Sequence, residues 1–130
     1  MSSLFPPNET TIVETQDGWS RAPYLTGVIG KSDLTLRPIL QAGSIVHIDT
    51  EMNDLFAGKD PTPDELARPI YFLKTMDAYF CGWCELDEDL QWLTLIPHPL
   101  SSAPSRRWKY HTEVEVVGRA VCVLTQPAAT

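Results

Sequence analysis

The sequence predicts a mostly β domain, built on a rolled antiparallel sheet with one or two short helical turns. Two observations carry this reading. Strand-like runs recur at short intervals between turn signals, and no internal repeat or heptad pattern runs through the chain. The length agrees, because 130 residues can bury one real core and would be cramped as two independent domains.

The opening stretch, Met1 to Trp19, is polar and rich in turn formers: Pro6, Pro7, Asn8, Asp17 and Gly18. Residues 1–20 therefore read as an arm or linker remnant, in which only Thr11 to Glu14 resembles a short strand. The domain itself is expected over residues 21–126, with 127–130 as a tail. Tyr24 to Gly30 reads as a first core strand, and Thr35 to Gln41 as a short helical turn that Gly43 stops. Ser44 to Asp49 is then a strand, since its β-branched residues suit a pleated, half-buried surface. Glu51 to Arg68 is acidic and proline-rich, and is expected to be a surface loop with at most a helical turn over Pro63 to Leu66.

Pro69 to Thr75 and Ala78 to Leu86 follow, separated by Met76-Asp77, which is the spacing of a tight hairpin. Leu90 to Ile96 is a further strand, ended by Pro97 and Pro99, neither of which can donate to a ladder. Ser101 to Tyr110 reads as a connecting loop carrying a basic knot, Arg106, Arg107 and Lys109, around Trp108. The last strand, Thr112 to Leu124, alternates polar and apolar at first and then becomes almost wholly apolar. That pattern predicts burial on one face early and on both faces later.

A net charge of −7, spread along the chain, would repel a phosphate backbone and makes this chain alone a poor general nucleic-acid binder. No apolar run approaches the length that crosses a bilayer, and the first twenty residues lack a secretory pattern, so a soluble, cytoplasmic protein is expected, with no membrane partner. Cys81, Cys84 and Cys122 are odd in number and unlike a secreted disulfide framework. A reducing compartment is the simpler expectation.

The segment Pro38-Ile-Leu-Gln-Ala-Gly43-Ser-Ile-Val-His-Ile-Asp49 resembles the Pro-x-Ile-x-x-Gly-Asp-Ile-Val-x-Val-Asp pattern of the C-terminal domain of LexA-like repressors and related signal-peptidase-type serine peptidases. Leu95-Ile-Pro-His-Pro99 and Val117-Gly-Arg-Ala-Val121 are placed like that family's Ser-x-Asn-Pro and Val-x-Gly-x-Val, so the resemblance covers roughly Tyr24 to Leu124. More narrowly, the chain looks like the C-terminal half of helix-turn-helix regulators that carry this domain in degenerate form. The resemblance implies a serine nucleophile three residues before the proline and a lysine base on the second strand of the hairpin. Here the nucleophile position holds Thr35, with Leu36 after it, and the lysine position falls near Cys81 to Cys84, where there is no amine. A hydroxyl is a weak nucleophile unless a desolvated base takes its proton. Ser32 as nucleophile and Lys74 as base are the fallback pair, but both would need register slips that turn side chains to the opposite face. The self-cleavage segment expected upstream of the nucleophile, Ala-Gly or Cys-Gly, does not occur in residues 1–34.

Cys81 and Cys84 are also the candidates for a zinc or redox pair. In an extended strand, however, residues three apart point to opposite faces with Cα atoms roughly 10 Å apart, beyond disulfide reach. Buried packing is the default reading, with a bulge at Gly82 as the route that would bring them together; His47, His98 and His111 match no finger spacing. The aromatics Trp83, Trp92, Trp108, Tyr71, Phe72, Tyr79 and Phe80 are expected mainly in the core. The resulting expectation is a non-catalytic association or effector domain of a bacterial regulator, with no cofactor. It would dimerise, along the apolar last strand, and reach DNA through a separate helix-turn-helix domain upstream. A residual serine or threonine peptidase and a zinc or redox sensor are the alternatives.

Overall fold

The structure is a computed structural model that describes residues 8–13, 24–37, 39–52 and 68–124. Eight strands are present: β1 (Thr11–Val13), β2 (Tyr24–Val28), β3 (Ile45–Asp49), β4 (Tyr71–Thr75), β5 (Tyr79–Leu86), β6 (Trp92–Ile96), β7 (Arg106–Lys109) and β8 (Val114–Leu124). They form one antiparallel sheet in the order β1-β2-β3-β8-β4-β5-β6-β7. No helix occurs among the described residues. The Thr35 region is a turn with an i to i+4 bond from Leu40 N–H to Leu36 O (2.9 Å), and Gly43 leaves it at φ 89°. The mostly β, rolled sheet is as predicted.

The sheet curls because two strands change partners along their length. β8 pairs with β4 over Val114 to Arg119 and with β3 over Arg119 to Leu124, with a bulge in each ladder. β5 pairs with β4 over Tyr79 to Gly82 and with β6 over Trp83 to Leu86. Each handover offsets the next strand along the sheet, and both faces come to enclose a core. One face gathers Ile29, Leu36, Leu40, Val46, Ile48, Phe72, Cys81 and Trp83. The other gathers Tyr71, Leu73, Cys84, Leu86, Leu93, Leu95 and Val114. The period-two alternation of β5 sends Cys81 and Trp83 to one core and Cys84 and Leu86 to the other.

The turns follow the sequence logic. Thr75 N–H bonds to Ala78 O (2.8 Å) around Met76-Asp77, closing the two-residue hairpin. Asp87 Oδ1 accepts the N–H groups of Gln91 (2.8 Å) and Trp92 (3.0 Å), and Leu90 takes a positive φ of 61° in the same turn.

Three expectations need correction. Arg106 to Lys109, read as loop, is strand β7 at the sheet edge. Its cations lie over aromatic rings, Arg106 on Phe80 (5.0 Å) and Arg107 (4.6 Å) and Lys109 (5.9 Å) on Trp92, so a basic segment packs as a strand. The last strand is not buried on both faces late in its course, since Val121 is 44% exposed. That strand has a different neighbour on each half, β4 over Val114 to Arg119 and β3 over Arg119 to Leu124. Residues 8–13, read as arm, belong to the fold through β1 on β2. The expected loop over Glu51 to Arg68 lies mostly outside the described residues, as does the tail.

Candidate functional site

Thr35 sits on the turn between β2 and β3 and is buried, 4% exposed. Three parts of the chain hold it. From its own turn, Asp33 Oδ1 accepts the Thr35 N–H (3.2 Å), an Asx-type turn. From the segment leading into β1, Thr10 Oγ1–H donates to Asp33 Oδ2 (2.6 Å) and accepts the Gly30 N–H (3.1 Å). From the segment after β6, the His98 N–H donates to Thr35 O (2.7 Å), and the Ser101 hydroxyl donates to Leu34 O.

The fourth wall is β5. A Cβ at Gly82 would stand 2.8 Å from Thr35 Cγ2 and 2.8 Å from Leu95 Cδ1. Thr35 therefore faces Gly82 at the point where β5 leaves β4 and joins β6. The position opposite the Thr35 side chain has no side chain at all. Lys31, Lys74 and Lys109, the three lysines among the described residues, are all exposed. None is desolvated, which is the condition a lysine needs to act as a base at neutral pH. The His98 ring lies against Trp83 (5.7 Å between centroids), and its Nδ1 accepts the Leu100 N–H (3.0 Å).

The fallback pair is placed differently. Ser32 is exposed, and its hydroxyl and N–H both donate to Asn8 O (2.7 and 2.8 Å). Lys74 lies on β4 opposite Tyr79 and lines an open hollow of about 680 Å³ with Asn8, Glu9, Thr10 and Asp77, whose walls do not include Ser32.

Cys81 and Cys84 are buried free thiols in the two separate cores. Burial pushes both thiols well above their ordinary range, with the Asp33 charge adding to the effect at Cys81. The Cys84 thiol donates to Gly82 O (3.8 Å). Among the described residues, no group of three or more His, Cys, Asp or Glu side chains comes together as a metal site would need. His47 is on β3, His98 beyond β6 and His111 in the turn before β8.

Thr10, Asp33 and Ser101 were not anticipated from the sequence, and His98 was considered only as a metal ligand and as part of the Leu95 to Pro99 resemblance. Asp33-Leu34-Thr35 is a readable Asx-turn signal, but the other three reach the site from distant parts of the chain. No protein-family model matches the sequence, and no curated protein matches it.

Proposed function

We propose that this chain is a non-catalytic association and effector domain of a bacterial transcriptional regulator, with a LexA-like fold that lacks the Ser–Lys pair and works beside a separate helix-turn-helix domain. The observation that carries the reading is the contact of Thr35 with Gly82. The resemblance in sequence assigns a nucleophile to the position of Thr35 and a base to the second strand of the hairpin, which is β5. Thr35 faces Gly82 on that strand, and the Cys81 to Cys84 stretch, near which the resemblance puts the base, holds no amine. Thr35 is instead built into the core, with its backbone bonded on both sides. A regulator that binds two half-sites on DNA needs a dimer of fixed spacing, which gives such a domain a purpose without chemistry.

The test is sedimentation equilibrium of the full chain across a wide concentration range. Reversible self-association is expected. A monomer at every concentration would remove the association reading.

A further inference from the structure

The outer face of β5, β6 and β7 carries charge in columns. Cross-strand partners share a face, so the register sets Glu85, Thr94 and Arg107 in one row. Asp87, Trp92 and Lys109 form the next row: Trp92 is paired with Lys109, and the Asp87 N–H bonds to Trp92 O (3.0 Å). Both rows run in the same order: an acid on β5 or in the turn directly after it, a neutral residue on β6, a cation on β7. At about 4.8 Å between strands, the acidic and basic columns stand roughly 10 Å apart with β6 midway. The inward side of the same three strands is accounted for, because Leu86, Leu93, Leu95 and Trp108 pack into a core. The outward side is open: Arg107 and Lys109 are exposed, and Glu85, Asp87, Trp92 and Thr94 are half-buried. Among the described residues, the ion pair on this side is the long Arg68–Glu85 contact at 3.4 Å.

We propose that this face is where two copies of the chain associate, about a two-fold axis running along β6. Rotation about that axis exchanges the outer columns. Glu85 of each copy then lies over Arg107 of the partner subunit, and Asp87 over the partner subunit's Lys109. Thr94 and Trp92 meet their own counterparts on the axis. A two-fold interface must be self-complementary, and a face with acids on one side and cations on the other at matched levels satisfies that condition. The cations already lie on the Trp92 ring, which gives the centre of the face an aromatic anchor inside a charged rim. The edge of β7 is taken up at its Lys109 end. Lys109 N–H donates to Glu113 Oε1 (2.8 Å) and Lys109 O accepts the Glu113 N–H (2.9 Å), so the turn before β8 occupies its outward backbone groups.

This inference rests on the association reading and deepens it by naming the surface. The test is sedimentation equilibrium on the full chain and four variants, each first checked for native circular dichroism. R107E/K109E makes both outer columns acidic, and E85K/D87K makes both basic. T94R puts two cations face to face on the axis without touching the Asp87 turn. V121R, on the exposed part of β8, is the control. The wild type is expected to dimerise, more weakly as NaCl rises. R107E/K109E and T94R are each expected to raise the dissociation constant about a hundredfold, while V121R leaves it unchanged. An equimolar mixture of the all-acid and all-basic variants is expected to restore a dimer. If E85K/D87K fails to fold, T94R and R107E/K109E still decide the question. A wild-type dimer that neither of them weakens would overturn this surface and leave the association reading standing. A wild-type monomer would overturn both.

Discussion

Gly82 has no side chain, and the space beside it is taken by the Thr35 methyl and by Leu95. The pairing explains why a turn residue is so well buried. Ala at position 82 must displace one of two packed side chains, of which the β-branched Thr35 is the stiffer. Gly82→Ala is expected to cost about 1–3 kcal/mol, read from the denaturant midpoint. Adding Thr35→Ser, which removes the methyl, should recover part of that loss; equal losses in both backgrounds would show that the contact is not made. Asp87 acts at the same scale. Its carboxyl is held below the usual range chiefly by the Trp92 N–H, with further support from the Gln91 N–H and Arg107. A depressed folded value means that the stabilisation is present above the unfolded carboxyl value of about 3.9 and is withdrawn as pH falls below it. The stability gap between wild type and Asp87→Ala, measured by urea unfolding, should therefore be constant near neutrality and shrink on acidification below about pH 4. Thr35 was legible in the sequence because Pro38 and Gly43 frame it locally. Gly82 was not, because its identity as the facing residue depends on a hairpin register and on a turn 47 positions away in sequence.

The elements divide by how local their signals are. The two-residue hairpin at Met76-Asp77 and the Ile-Val strand β3 were readable from turn spacing and β-branching. So was the separation of Cys81 from Cys84, which needs only the alternation of an extended strand. β7 was missed because Arg and Lys carry little strand preference by themselves. What makes it a strand is the stacking of those cations on Phe80 and Trp92, rings supplied by other elements. β1 was recognised as strand-like but assigned to an arm, since three residues carry no core of their own. It is held by Thr10, Asp33 and Ser32 rather than by apolar packing alone. Gly30 is the position that tests this docking, because a Cβ there would run into the backbone of Glu9 and Thr10. A backbone clash has no rotamer to relieve it, so Gly30→Ala is expected to release β1. Amide hydrogen exchange at Thr11 to Val13 should accelerate strongly in that variant while β4 and β5 keep their protection. Unchanged protection at those amides would mean that the arm is anchored elsewhere.

Over the whole molecule, one curled sheet carries a core on each face, and the partner changes of β5 and β8 are what curl it. Both handovers meet β4, and the Thr35–Gly82 contact lies at the one in β5. The fold class and its rolled form were legible from the density of strand and turn signals. The strand order was not, because placing β8 between β3 and β4 depends on pairings between distant segments. The association surface we propose is the outer face of β5, β6 and β7, where acids and cations stand in register. On this account the site around Thr35 is structural and the chain acts through binding. The most direct measurement is intact-mass spectrometry of the full chain after prolonged incubation between pH 7 and 10, with and without a fluorophosphonate probe that labels activated hydroxyls. The account predicts an unchanged mass throughout, with neither self-cleavage nor adduct. A probe adduct that maps to Thr35 or Ser32, or a cleavage product that disappears in Thr35→Ala, would contradict it.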